Sequence, residues 1–278
     1  MKTGFIKSAK YSRATNASGF TLLELLVVLG VIAVLIIVQV PILAGGKSQS
    51  KIAMCASHVR QLALACQIYA NENGDRLPVL TGSASWPWDV PAATANSMLN
   101  SGTTPATFYC PGTAPRFTDA QNWAGPNPSG LTNGANSTLW GFGMSSPPNL
   151  QTDFHIVGYS LALSGPASQL GVTNQNKTIQ PESIVNRLLG VSYVAPASSD
   201  RVLVADATIS SGSALPGYAH PENNYTDIVG GYPIHHVSPH LKGNVPAGGN
   251  LGFKDGHVDW RKFELMTPRT TSTPAFWW

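Results

Sequence analysis

Charge is scarce in this chain, with Asp, Glu, Lys and Arg making up only 11% of 278 residues. Instead Gly, Pro, Ser, Thr and Asn are plentiful, a balance that suits a loop-rich exported domain better than a cytosolic enzyme. Three cysteines occur and none forms a Cys-x-x-Cys pair, which excludes a zinc knuckle or a thioredoxin-type site. There is no helix-borne His-x-x-x-His pair and no EF-hand loop. Ser18 and Ser160 lack the context of a nucleophile elbow, and the isolated glycines form no phosphate loop. Internal repeats are missing, as is any acidic residue before Glu24. With no nucleophile–base pairing legible, an enzyme is not expected.

The one long apolar run is therefore prominent. It extends from Leu25 to Val40, directly after Gly19-Phe20-Thr21-Leu22-Leu23-Glu24. Counted from Phe20 it is 21 residues, enough to cross roughly 30 Å of hydrocarbon as a helix. Lys2, Lys7, Lys10 and Arg13 precede it. Removing residues 1–19 takes four of 17 basic groups and none of 14 acidic ones, so +3 becomes 13 minus 14, or −1. The basic pI belongs to the leader, and no nucleic-acid partner is expected. Positive charge ahead of the span keeps that end cytoplasmic and sends everything after Pro41 outward. A carboxylate at the edge of such a span is costly unless paired, so Glu24 is a functional candidate by position.

Gly19, Phe20, Glu24 and Pro41 share one register that resembles the processing signal of type IV prepilins and type II secretion pseudopilins. The resemblance implies a prepilin peptidase cutting after Gly19 and N-methylation of Phe20. It places Glu24 at mature position five and Pro41 at mature position 22, where many family members carry a helix-kinking proline. It also implies pilin or pseudopilin partners, an inner-membrane assembly platform, contact with membrane lipid, and single-pass anchoring with a periplasmic or extracellular head. Two other readings stay open. Ala44-Gly45-Gly46 offers small residues for an ordinary secretory cleavage. A plain signal anchor would fit the length but has no use for Glu24.

Beyond the span, Ile52, Cys55, Ala56, Val59, Leu62, Ala63, Cys66, Tyr69 and Ala70 form one helical stripe. Lys47, Lys51, His58, Arg60, Gln67 and Asn71 fall off it and are expected in solvent, with Asn73-Gly74 as the stop. Pro41 should bend or locally break this long helix. The expected organisation is a leader at 1–19, a transmembrane helix at 20–46, an amphipathic stalk helix at 47–74 and a loop-rich head at 75–278. The expected fold class is α+β, a kinked N-terminal helix packed on a small antiparallel sheet in the lollipop form of pilins.

In the head, helices are expected near 94–100 and 183–189, and strands over 108–110, 156–163 and 201–208. Asp255-Gly256 predicts a two-residue type I′ hairpin turn. In that register Lys254 pairs with His257, Phe253 with Val258 and Leu251 with Trp260, leaving Lys254 on a polar face. Tyr69 to Gly74, Leu77-Pro78, Tyr109-Cys110-Pro111 and the segment from His240 to Asp255-Gly256-His257-Val258 resemble prepilin-type proteins with a C-terminal His and Asp-Gly motif. That group usually has nine residues between its His and Asp-Gly, whereas 14 separate His240 from Asp255 here.

Cys55 and Cys66 lie too far apart on one helix to bridge each other, so either could meet Cys110, or all three remain buried thiols. Asp206, His240, Asp255 and His257 are the metal candidates, with calcium or another divalent ion in view and Asp227 a further oxygen donor. His220, His235 and His236 share the same third of the chain. Trp86, Trp88, Trp123 and Trp140 raise a non-polymerising, membrane-anchored carbohydrate-binding head as the alternative to a filament subunit. A third reading, a metal-dependent surface enzyme, rests on nothing beyond the concentration of histidines.

Overall fold

A computed structural model describes residues 20–82, 84–117, 154–182, 184–186, 191–193, 196–212, 223–229, 235–270 and 272–278. At 37–45, 184–186 and 191–193 the description covers backbone alone. Along the chain lie α1 (Leu22–Glu72), β1 (Asp89–Pro91), α2 (Ala92–Asn100), β2 (Phe154–Ile156), β3 (Tyr159–Leu161), β4 (Ile184–Asn186) and β5 (Val191–Tyr193). They are followed by β6 (Val202–Asp206), β7 (Ile209–Ser210), β8 (Leu241–Lys242), β9 (Val245–Pro246), β10 (Gly248–Phe253), β11 (Val258–Lys262) and β12 (Ala275–Phe276). The fold is α+β, with small antiparallel sheets. Two compact units divide at Gly46 and Lys47.

In the first unit, every described side chain from Phe20 to Ile36 is exposed. Among the described residues no helix is long and apolar enough to cross a membrane. The described side chains of the apolar run stop at Ile36. α1 is continuous through position 41, so the break considered at Pro41 is absent. A proline removes only one backbone donor, and the flanking turns can carry the helix past it.

The second unit is organised by a four-stranded antiparallel sheet in the order β11-β10-β6-β3. β10 is central, and all six of its residues are buried. The α1 stripe packs into the core beside this sheet. Cys55, Val59, Leu62, Ala63, Cys66 and Ala70 are buried with Leu161, Leu203 and Val204. The close approach explains Gly252, where an added Cβ would lie 2.7 Å from Val59 Cγ1. The helix ends as expected, with Gly74 at φ +64° and the Asp75 amide bonded back to Ala70 O. A second cluster holds Trp88, Leu251, Phe253, Phe276 and Trp278, while a third holds Tyr225, Phe263 and Trp277.

Several expectations need correction. The hairpin pairs Gly252 with Val258, Leu251 with Asp259 and Asn250 with Trp260, one residue away from the expected register. Its loop has three residues, Lys254-Asp255-Gly256, and of these only Gly256 has positive φ (+92°). Asp255 Oδ1 accepts the His257 amide at 3.1 Å, stabilising this wider loop over a type I′ turn. A one-residue slip exchanges faces, so Trp260 does not share one with Leu251. Lys254 is buried rather than solvated, with Nζ 3.0 Å from Gln180 O. The described part of 183–189 is strand β4, paired with β5. Phe108 closes a 3₁₀ turn at Pro105–Phe108 instead of opening a strand. Gln67 bonds Lys254 O at 2.8 Å, and half-buried His58 approaches Tyr109 O at 3.3 Å.

Candidate functional site

Among the described residues, chemistry-bearing side chains meet at several places. The first is the start of α1. Thr21 N and Oγ1 donate to Glu24 Oε2 at 2.9 and 2.8 Å, while Glu24 N donates to Thr21 Oγ1 at 3.2 Å. This is a capping box, in which Thr and Glu three residues apart satisfy each other's amides at a helix start. The Thr-x-x-Glu spacing is legible in sequence and gives Glu24 a local task beyond the role considered for it. Phe20 is 72% exposed. Gly19 lies outside the described residues, as does the side chain of Pro41.

The second place is buried in the second unit. Cys55 on α1 forms a disulfide with Cys110, and Cys66 remains a buried thiol whose pKa burial pushes up to about 12. Against the disulfide stand Asp206, at the end of β6, and His240, which precedes β8. His240 Nε2 is 3.5 Å from Cys110 Sγ and 3.2 Å from Asp206 Oδ2. Asp206 Oδ2 accepts Asn250 N at 2.7 Å and Asn250 Nδ2 at 2.8 Å. Asp206 Oδ1 is buried with no hydrogen-bond partner. His240 has φ +53°, a region that few non-glycine residues occupy.

The four metal candidates thus divide into two pairs. Asp206 joins His240, whereas exposed Asp255 Oδ1 meets His257 Nδ1 at 2.6 Å on the hairpin loop. Asp227 accepts from Arg116 at 3.1 Å and sits 3.1 Å from His235 Nδ1. The oxygen donors considered for calcium are therefore engaged at different places. Trp88 is buried, so it is a core anchor rather than a carbohydrate platform. Trp86 stacks on Phe276, and Trp123, Trp140 and His220 lie outside the described residues.

His236 is buried between Trp88 and Phe117, with ring centroids at 5.1 and 4.0 Å. Its Nδ1 lies 2.9 Å from Val237 O and its Nε2 3.3 Å from Val157 O. A neutral ring has one N–H and can satisfy only one of these carbonyls. Burial nevertheless dominates and pulls the pKa down to about 4. The unfolded chain therefore takes up this proton first. The associated stability is complete above pH 6.5 and is lost as pH falls toward 4, by about 3 kcal/mol in all. Burial pushes the Asp89 carboxyl up to about 7, which acts in the opposite direction over this range. The test is therefore a difference: in urea unfolding at pH 7.5 and 4.5, His236→Phe should be less acid-sensitive than wild type. Equal sensitivity would reject this assignment.

The class these features define is an exported α+β chain with a specialised amino-terminal signal. Residues 15–38 match the prokaryotic N-terminal methylation motif, the prepilin-type signal. That signal implies a prepilin peptidase substrate with pilin-type partners, and it points to a structural subunit rather than an enzyme. The matched residues do not reach the C-terminal His240 and Asp255-Gly256 segment. No curated protein and no solved structure matches the chain.

Proposed function

We propose that the chain is a pilin- or pseudopilin-like structural subunit, made with a basic leader at residues 1–19. A prepilin peptidase cuts between Gly19 and Phe20, and Phe20 is then N-methylated. The helix over 20–46 anchors the subunit in the inner membrane. The stalk over 47–74 carries a periplasmic or extracellular head formed by 75–278, giving the lollipop form of pilins. Subunits leave the bilayer through an assembly platform and enter a type II secretion or type IV pilus-like filament.

The observation that carries this reading is the motif match at 15–38. The exposed apolar side chains from Phe20 to Ile36 support it, because a helix apolar on all sides requires lipid or neighbouring helices around it. In the filament, Glu24 pairs with the Phe20 amine of the next subunit. Such a heterologous contact repeats without closing, as an open helical assembly requires.

The intact mass and amino-terminal sequence of the mature protein test this reading. A chain beginning at Phe20 and carrying one methyl group is expected. A chain beginning near Gly46 would replace the pathway with ordinary secretion.

A further inference from the structure

We infer that the reduced chain binds a zinc-like divalent transition metal through Cys55 Sγ, Cys110 Sγ, His240 Nε2 and an Asp206 carboxylate oxygen, with the metal and the Cys55–Cys110 disulfide as alternative states of one site. One ligand atom from each of these four residues lies within 4.8 Å of all the others. They come from four separate parts of the second unit: α1, the turn after Phe108, the end of β6 and the segment before β8. The fold itself therefore gathers the set.

The distances suit a tetrahedral ion. Zinc–sulfur bonds of about 2.3 Å and zinc–nitrogen or –oxygen bonds of about 2.0 Å place S and N roughly 3.5 Å apart, and N and O roughly 3.3 Å apart. The corresponding separations are 3.5 Å for Cys110 Sγ to His240 Nε2 and 3.2 Å for His240 Nε2 to Asp206 Oδ2. The two sulfurs have to part, and reduction of their bond permits that. Two thiolates with one imidazole and one carboxylate form a soft donor set that favours zinc over calcium or magnesium.

The surroundings favour a metal. Asp206 Oδ1 is a buried carboxylate oxygen without a hydrogen-bond partner, so the carboxylate keeps unused acceptor capacity beside the Oδ2 atom that lies 3.2 Å from His240 Nε2. The carboxylate is oriented by Asn250 through two bonds to Oδ2, the kind of outer support that positions metal ligands. Gly112 N donates to Cys110 Sγ at 3.3 Å, an interaction that suits a thiolate. A Cβ at Gly112 would lie 3.0 Å from the His240 ring and 3.2 Å from Cys110 Sγ, so the bare backbone lets this turn close over both ligands. A groove of about 440 Å³ lined by Gly112, His240, Lys47, Lys51 and Arg116 gives a route inward. Its cations offset the net −1 of an ion of charge +2 held by two thiolates and one carboxylate.

Conversion between the states balances. A dithiol gives two electrons and two protons to the sulfurs and leaves as its disulfide; a phosphine gives two electrons and leaves as its oxide, taking the oxygen of a water whose two protons complete the thiols. Metal binding then displaces those two protons to solvent.

The test uses the full chain in detergent, reduced with a phosphine and titrated with cobalt(II). One equivalent should bind, giving sulfur-to-cobalt charge-transfer absorption and the intense visible bands of a tetrahedral site, and zinc should bleach both. The oxidised wild-type chain is a control needing no substitution and should give neither signal. His240→Ala and Asp206→Asn should each weaken binding by more than about 10-fold, the lower end of the loss caused by removing even an outer-shell partner. Absence of a tetrahedral signal in the reduced chain would overturn the inference. So would a reduced chain that stays unfolded with metal present, equal binding by the oxidised chain, or undiminished binding by both folded variants.

Discussion

Glu182→Ala is expected to destabilise the head by about 3 kcal/mol, the lower part of the range for removing one partner from a buried ion pair. Glu182 Oε1 lies 3.7 Å from Arg201 Nη2 and 3.6 Å from Lys254 Nζ, while the two cationic side chains are 5% and 0% exposed. Burial lowers the pKa of both cations, and the Glu182 charge opposes that lowering. Carbonyl and amide oxygens also bond the two cations, while Arg201 Nη1 is buried without a hydrogen-bond partner. Arg201 bonds Asn176 Oδ1 at 2.6 Å and also Gln175 O, and Lys254 bonds Gln180 O. These dipoles solvate the cations without neutralising them, so loss of Glu182 leaves two like charges facing each other in a poorly hydrated place. The ion contacts are long and Glu182 is partly exposed, which places the effect near 3 rather than 5 kcal/mol. A fall in urea midpoint at constant slope measures it. Glu182→Ala combined with Lys254→Met should recover much of the loss, because one stranded charge is then removed. A midpoint unchanged in Glu182→Ala would show that the carboxylate contributes nothing there.

Neither Glu182 nor Lys254 was distinctive in the sequence, and the reason is physical. Local periodicity reveals which side of an isolated helix or strand is apolar, so the stripe from Cys55 to Ala70 and the strands at β3 and β6 were legible. The position of a residue also depends on partners far along the chain, to which local pattern is blind. Lys254 reads as a solvent-facing hairpin residue until Gln180 and Glu182, more than 70 positions away, are folded against it. The hairpin register failed for a related reason. Asp-Gly favours a two-residue turn, but the Asp255 side chain selected a three-residue loop by accepting the His257 amide. The candidate site was half legible: Asp206 and His240 could be named from composition and motif, as could the cysteines. Their convergence at one disulfide, and the separation of Asp255 and His257 from it, depend on sheet order. The aromatic C-terminus was missed because Phe276, Trp277 and Trp278 show no period, although all three are buried.

Replacement of Glu24 should abolish assembly while leaving export and cleavage intact, and the choice of replacement separates two tasks of this side chain. In the single subunit the carboxylate completes a capping box with Thr21, a contribution of about 1 kcal/mol to the helix start. Glutamine at the same position can still accept from Thr21, but it carries no charge for a neighbour's Phe20 amine. Glu24→Val removes both the cap and the charge. If Glu24 acts through the intersubunit ion pair, Gln and Val should fail alike, with incorporation into filaments falling to near background. If it acts only through the helix cap, Gln should assemble like wild type and Val should show a partial defect. Shear-released filaments quantified by immunoblot, with cleavage followed by the mass of the membrane-bound subunit, distinguish these outcomes. The ion pair is expected to dominate because its alternative is an unpaired carboxylate among the apolar side chains that follow it. In hydrocarbon that cost exceeds the contribution of one helix cap.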